Sequence, residues 1–367
     1  MRTKLFYFFI FLSLFLIPGF SFAQDTIETY YEKAIILDFK ETIKEEAQQD
    51  SEVENKVVVS VQEIDLKILS GKFKGLTKTI ENSLLVNPAD LDIKQGDKVI
   101  VYIQELSNSE VEIQIHDYYR FPYMIFLISL FFVLLIIVGA SKGLRSAISL
   151  FISVLLIFKV FIPLILKGTN PIWLALLISS VITVITFFII SGSNKKTFAA
   201  ILGTVGGLLC ATIIVISFGN LLRLNGLSSE EARILAGSFS LNFQGLLFSG
   251  IIIAALGAVM DVSMSIASGM SEIKKAKPDI TKRKLVTSGM EIGKDIIGTM
   301  ANTLIFAYVG SSLFILLSFT NFGESYLKFL NFDFFAEEVL GAMAGSIGLI
   351  LAVPITAIVA GFLETKK

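Results

Sequence analysis

The chain has 367 residues, of which 54% are apolar, and its formal net charge is −1. Such a composition excludes an ordinary soluble domain, and the near-neutral charge gives no sign of a nucleic-acid partner. The chain has one cysteine, Cys210, and one histidine, His116. The sequence therefore excludes a disulfide framework, a Cys/His metal site and an intramembrane serine–histidine pair. We expect neither a metal nor another cofactor.

Residues 1–23 have the pattern of a secretory signal peptide. Arg2 and Lys4 precede an apolar stretch, and Ser21-Phe22-Ala23 provides small residues at the cleavage positions. The pattern predicts cleavage before Gln24 and export of the part that follows. An uncleaved membrane anchor is the alternative.

Residues 24–120 are predicted to form a small exported β-rich domain. Apolar residues alternate from Val57 to Ile68, which indicates a strand. Further short strands are predicted at Thr77–Asn82, Lys98–Gln104 and Val111–His116. The stretch from Asp25 to Asn55 is rich in Glu, Gln and Asp, and its one apolar island is Ala34–Phe39. Short strands with spaced turns are typical of a small barrel or sandwich, and an OB-like barrel fits the pattern.

Residues 121–367 are predicted to form an α-helical integral membrane domain, a bundle of seven spans. An apolar run of about 20 residues is long enough to cross the ~30 Å hydrocarbon core of a bilayer. The seven runs are Phe121–Ala140, Ala147–Leu166, Pro171–Ile190, Phe198–Gly219, Leu246–Ile266, Ile296–Phe319 and Val339–Phe362.

Basic residues are concentrated in alternate loops between these runs. They are Lys142 and Arg145, Lys195 and Lys196, the group from Lys274 to Lys284, and Lys366 and Lys367 at the end. The positive-inside rule therefore predicts a multi-pass protein of a bacterial cell membrane, with the N-terminal domain outside and the C-terminus in the cytoplasm. The signal sequence independently predicts the same start outside the membrane.

The longer loops contain two further predicted helices. Ser228 and Glu231 form a capping-box pattern that predicts a short helix through Leu235. On the cytoplasmic side, Ile280–Ile292 mixes basic and apolar residues, as in an amphipathic helix at the inner leaflet.

Polar side chains form one row on each of spans 5 and 6. The rows are Asp261, Ser265 and Ser268 in span 5, and Asp295, Thr299 and Asn302 in span 6. Spacings of three and four residues place each row on one helical face. Ionisable residues are costly in hydrocarbon, so the rows are candidates for an ion or substrate pathway near the cytoplasmic mouth. The alternative is a helix–helix contact in which Asp295 pairs with Lys294 or Arg283.

Glu291 and Lys294 stand one helical turn apart where span 6 begins. They are a candidate gate for such a pathway. The alternative is an exposed ion pair, which contributes little to stability.

Several long stretches of the chain resemble the YibE/F family of bacterial multi-pass membrane proteins. The stretches are GASKGLRSAISL (139–150), IPLILKGTNP (162–171), NKKTFAAILGT (194–204), GLLFSGIIIAALGAVMDVSMSIAS (245–268) and SGMEIGKDIIGTMANTLIFAYVGSSL (288–313). The resemblance implies an integral membrane protein, and an exported domain before the spans suits the family. It assigns no catalytic or binding residues.

Three functions remain open. A transporter or channel-like protein for an ion or small solute is favoured by the carboxylates, by the polar rows and by the absence of enzyme motifs. A membrane scaffold or envelope-assembly factor would use the exported domain to bind partners. An intramembrane aspartyl protease would use Asp261 and Asp295, but the GxGD pattern is missing, and we expect no enzyme. Besides the lipid bilayer, a homo-oligomer and an envelope protein are the partners that we expect.

Overall fold

The computed structural model describes residues 29–47, 56–85, 91, 93–105, 111–321 and 325–365. The predicted signal peptide and the basic residues Lys366 and Lys367 lie outside these ranges. The chain divides into two compact units, Met1–Ser129 and Leu130–Lys367.

The first unit contains a five-stranded antiparallel sheet that forms a half-barrel. Its strands are β1 (Thr29–Ala47), β2 (Lys56–Ile68), β3 (Thr77–Leu85), β4 (Lys98–Glu105) and β5 (Val111–Tyr118), in the order β3-β2-β1-β4-β5. The predicted β-rich domain is therefore confirmed. The edge strands β3 and β5 approach each other, and the Lys78 ammonium group donates a hydrogen bond to the carbonyl of Val111.

The central strand β1 is the element that the sequence did not predict. It pairs with β2 from Ala34 to Ala47 and with β4 from Thr29 to Ile35. The register with β2 shifts between Ile36 and Asp38, which marks a bulge. A bulge bends and twists a strand locally, and this one lies near the point where pairing with β4 ends.

The core of the half-barrel follows the alternation expected for strands with one buried face. Ile64, Leu66 and Ile68 on β2 are fully buried, as are Val99, Val101 and Ile103 on β4. Ala34 and Ile36 on β1 join them. The intervening residues of β2, Glu63, Asp65 and Lys67, are exposed, so one face of the sheet packs inward and the other faces solvent.

The rest of the described chain is helical. Its helices are α1 (Phe121–Leu156), α2 (Ile162–Leu166), α3 (Pro171–Ser191), α4 (Lys195–Leu221), α5 (Glu230–Ser238), α6 (Phe243–Ala276), α7 (Lys282–Ser311), α8 (Leu313–Asn321), α9 (Tyr326–Leu330) and α10 (Asp333–Thr365). A π-helical turn, Ile157–Phe161, joins α1 to α2 and contains Lys159.

Five helical segments in the described part of the chain are long and apolar enough to cross a membrane. They are Phe121–Leu166, Pro171–Ser191, Lys195–Leu221, Phe243–Ala276 and Asp333–Thr365. The membrane character of the chain follows from them. The first segment has 46 residues and would extend about 69 Å at ~1.5 Å per residue, which is more than twice the ~30 Å thickness of the hydrocarbon core. Ala140, with φ 47° and ψ −126°, interrupts it where the first predicted span ends.

The helical bundle is built around α4, α6 and α10, and α4 crosses α10 at small residues. A Cβ added to Gly203 would lie 1.9 Å from Thr356 Oγ1. One added to Gly207 would lie 2.8 Å from Ala352 Cβ and 2.8 Å from the carbonyl oxygen of Gly348. Only glycine allows the two backbones to approach this closely.

One local prediction was wrong. Ser229, not Ser228, caps α5, because its side chain accepts a hydrogen bond from the Ala232 amide at 3.2 Å. The predicted amphipathic helix leads into the predicted span 6 without a break, since α7 runs from Lys282, capped by Thr281, to Ser311. Gly289 and Gly293 do not break it, because both are packed against neighbouring helices.

Candidate functional site

The antiparallel helices α6 and α7 contact each other through small residues near the basic loop that joins them. A Cβ added to Gly293 on α7 would lie 3.3 Å from Ile266 Cδ1 on α6. One added to Gly289 would lie 2.3 Å from Met270 Sδ. The hairpin is therefore tightly packed over this stretch.

Both aspartates lie beyond this contact in the same direction along the hairpin. Asp261 is five residues from Ile266, and Asp295 is two residues from Gly293, on helices that run in opposite directions. At ~1.5 Å per residue, the two are about 8 Å and about 3 Å past the contact. The fold therefore brings them to within about 5 Å in height along the helix axes.

The outward side of α6 carries only small or polar residues. From Gly250 to Ser265, its exposed residues are Gly250, Ala254, Gly257, Asp261 and Ser265. The buried side of the same helix carries large residues such as Phe248, Ile252 and Ile266. Ser268 is half-buried, and its hydroxyl lies 3.6 Å from Met264 Sδ in the preceding turn. The apolar side of α6 thus faces the bundle and the polar side faces out.

The outward side of α7 has the same character. From Glu291 to Thr303, its exposed residues are Glu291, Lys294, Asp295, Gly298, Thr299, Asn302 and Thr303. Phe306 is the first large apolar side chain of α7 to be exposed. Within its own helix, the hydroxyl of Thr299 donates a hydrogen bond to the Ile296 carbonyl at 3.0 Å.

The two exposed rows turn toward the same side of the hairpin. At ~100° per residue, the centre of each exposed row lies about 150° from the residues that contact the other helix, and in the same rotational sense. In an antiparallel pair this rotation turns both rows away from the partner helix and toward one side of the hairpin. We call this surface the polar face and define it by Gly250, Ala254, Gly257, Asp261 and Ser265 of α6 and Asp295, Gly298, Thr299 and Asn302 of α7.

Neither Asp261 nor Asp295 has a hydrogen-bond or ion-pair partner among the described residues. The Lys294 ammonium group instead bonds the Glu291 carboxylate at 2.7 Å, and both side chains are more than 60% exposed. The pairing of Asp295 with Lys294 or Arg283 that the sequence left open is therefore not formed in the structure. The two carboxylates are available for other groups.

The helices beside this face have a different surface. α4 exposes Leu202, Leu209 and Ile213, and α3 exposes Trp173 and Leu177. Large apolar side chains are the expected surface of a helix in contact with lipid. Within α6, all of which the structure describes, no large apolar residue is exposed. The polar face is thus chemically unlike the lipid-facing sides of its neighbours.

A second polar position, which the sequence did not single out, lies where α10 begins. Glu337 accepts a hydrogen bond from the Ser228 hydroxyl. Glu338 lines a cavity of about 210 Å³ together with Tyr308 and Ser312 of the α7–α8 junction. The sequence assigned both glutamates to a loop, because the apolar run appears to begin at Val339, whereas α10 begins at Asp333. No group of three or more His, Cys, Asp or Glu residues able to hold a metal occurs in the described ranges.

Comparisons with known proteins agree with the two units of the fold. The YibE/F-like protein family matches residues 127–366. The YibE/F family N-terminal domain matches residues 29–118, which contain the five strands. Searches among curated proteins and among solved structures each found no match. Because the first match covers well over half of the sequence, the chain belongs to the YibE/F family.

Proposed function

We propose that the chain is a membrane transport protein for a cation or small solute, and that the polar face forms its pathway. One observation carries this proposal. Asp261 and Asp295 are exposed, and the outward sides of α6 and α7 around them carry no large apolar residue. Ionisable side chains at membrane depth face water-filled cavities or protein rather than lipid. A surface of this kind is suited to a hydrated pathway.

The chemistry of the face favours a cation or a proton as the transported or coupling species. Two carboxylates at similar heights supply negative charge, and the oxygens of Ser265, Thr299 and Asn302 supply neutral ligands. Hard cations prefer oxygen ligands of both kinds. A carboxylate without a partner also accepts a proton and releases it again.

The topology that we propose has seven spans, with α1 crossing on either side of Ala140 and α7 crossing as the sixth span. The basic loops then lie in the cytoplasm and the N-terminal domain lies outside. Asp261 and Asp295 fall in the inner half of the membrane. The ion pair of Glu291 and Lys294 lies at the inner end of the pathway, where it acts as the gate.

Flux measurements with matched variants test the transport proposal. Purified protein is reconstituted into liposomes, and proton and sodium flux are measured for the native chain and for Asp261→Asn and Asp295→Asn. We expect flux in the native protein and a fall to the level of empty liposomes in both variants. Glu230→Gln makes the same chemical change on α5, where Glu230 lies 3.9 Å from Arg233, and serves as the control. Undiminished flux in both aspartate variants would remove these residues from the pathway.

A scaffold or envelope-assembly role is a second candidate, and one feature of the β domain favours it. The ring of Tyr31 is 60% exposed and lies against the rings of Tyr102, at 5.5 Å, and His116, at 5.2 Å. Aromatic side chains are enriched at protein interfaces. In this role the OB-like half-barrel binds an envelope protein through this cluster. Capture of one defined protein by the tagged full-length chain, lost in Tyr31→Ala, is the expected result; equal capture by both would remove the cluster from the interface.

A further inference from the structure

We propose that a second copy of this chain covers the polar face, so that the pathway lies between two protomers related by a two-fold axis along the membrane normal. Its account of the pathway rests on the proposed function, but the interface between the two copies does not. Without the second copy, the pathway has a wall on one side only.

Lipid is the wrong neighbour for this face. Polar side chains exposed to hydrocarbon are strongly disfavoured. Asp261, Asp295 and Asn302 are all exposed in the protomer. Since α3 and α4 show that this chain covers its lipid-facing sides with Trp173, Leu202 and similar residues, the polar face requires protein or water beside it.

The glycines of the same face are not explained by packing within the chain. The bundle packs Gly289 and Gly293 tightly against other helices, so their lack of a side chain is explained within the protomer. Beside Gly250, Gly257 and Gly298, by contrast, an added Cβ would meet no atom within 4 Å. Small residues in membrane helices allow a neighbouring helix to approach closely. No such neighbour is present in the protomer at these three positions.

A second copy of the chain fits this face. Two copies with the same topology are related by an axis along the membrane normal, which sets each residue at the height of its own counterpart. Contacts across such an axis are reciprocal. Lys294, at the inner end of the face, bonds Glu291 of its own chain and has two further N–H donors with which it can reach Asp295 of the second copy. The Asn302 amide both donates and accepts hydrogen bonds, so it can pair with itself. The face is therefore complementary to itself in hydrogen bonding, and Lys294 beside it supplies the charge opposite to Asp295.

Such an arrangement completes the pathway. The row with Asp261 and Ser265 in one copy faces the same row in the other, and the two Asp261 carboxylates border a shared polar space in which a cation or a proton offsets their like charge. The open polar face of one protomer becomes one wall of a closed channel. The apolar exposed sides of α3 and α4 remain in contact with lipid.

Cysteine cross-linking in membranes tests the interface. Because Cys210 is the single cysteine of the chain, Cys210→Ser provides a background without thiols. Asn302→Cys is introduced into it, and Ile213→Cys, on the exposed apolar side of α4, is the matched control. A disulfide needs Cα atoms within about 7 Å, so only residues close to their own counterpart react with each other. We expect mild oxidation to convert most of the Asn302→Cys protein, and little of the Ile213→Cys protein, to a covalent dimer of twice the mass of the reduced protein.

The mass of the native protein in lipid nanodiscs provides the second measurement. Two copies in each particle are expected. A single copy, equal cross-linking of the two cysteine variants, or a different protein bound in fixed ratio would overturn the proposal. Failure of Asn302→Cys to cross-link although two copies are present would overturn the choice of face. The cross-link does not depend on flux: a dimer through Asn302→Cys with normal flux in Asp261→Asn would retain the interface and reject the transport pathway.

Discussion

The crossing of α4 and α10 offers a quantitative test of how the bundle is packed. At Gly207, a methyl group would lie 2.8 Å from Ala352 Cβ, 2.8 Å from the Gly348 carbonyl oxygen and 2.9 Å from Val259 Cγ1. One of these neighbours is a backbone atom, so it moves only if a whole helix moves. Gly207→Ala therefore forces α4 away from α10.

The magnitude follows from two opposing effects. Introducing a methyl group into a filled core typically costs about 1–3 kcal/mol. Replacing glycine by alanine within a helix gains up to about 1 kcal/mol. Because the neighbours at Gly207 come from two helices, we expect the upper part of the cost and a net destabilisation of about 1–2 kcal/mol. For a domain of this size this lowers Tm by roughly 2–8 °C.

The single cysteine makes the measurement simple. Cys210 lies on α4, one turn from Gly207, and is half-buried, so a thiol-reactive dye reports its exposure as the protein unfolds on heating. Gly310→Ala is the control, since a Cβ there would meet no atom within 4 Å, and we expect its Tm to be unchanged or slightly raised. Equal Tm values for the two variants would refute the close approach of α4 and α10.

Two predictions concern the β domain. Ile64→Ala removes a fully buried side chain from β2 and should destabilise the sheet by about 2–5 kcal/mol, measured as faster amide hydrogen exchange in β2 and β4; unchanged exchange would contradict the assignment of Ile64 to the core. The hydrogen bond from the Arg120 guanidinium holds the pKa of Asp117 below its ordinary value of 3.8. A carboxyl with a lowered folded pKa stabilises the fold fully above its unfolded pKa, and this contribution is lost as the pH falls through the lower folded value. Asp117→Asn should therefore weaken the protection of β5 amides from hydrogen exchange at neutral pH, whereas in acid the variant and the native protein should show equal protection. A difference of the same size at both pH values would show that the ion pair is not responsible.

The strands of the β domain show what a sequence pattern reveals and what it does not. β2, β4 and β5 were predicted because apolar and polar residues alternate along them. β1 was missed because it is rich in Glu and Lys, which are depleted in strands, and only Ala34–Phe39 of its length shows an apolar signal. Its place at the centre of the sheet depends on pairing with β2 and β4, which are distant in sequence.

The polar rows of α6 and α7 show the same distinction. Spacing of three and four residues was enough to place Asp261 with Ser265, and Asp295 with Thr299, on shared helical faces. Which way those faces point depends on the packing of Gly289 and Gly293 against neighbouring helices, which spacing does not determine.

The helix ends were the least predictable feature. Glu337 and Glu338 precede the apolar run, so they read as a loop, although the backbone is already helical from Asp333. Similarly, α7 continues through the charged stretch around Glu291, because neither the charged side chains nor Gly289 and Gly293 end the helix there. Apolar runs therefore predicted the presence of these helices better than their ends.

The most direct test of the account compares Asp261→Asn with Asp261→Glu in the liposome flux assay. Glutamate retains the carboxylate, and the exposed position of Asp261 has room for one more methylene group. The account predicts that Asp261→Glu retains cation or proton flux and that Asp261→Asn loses it. Flux that is equal in the two variants would show that the carboxylate on the polar face takes no part in transport.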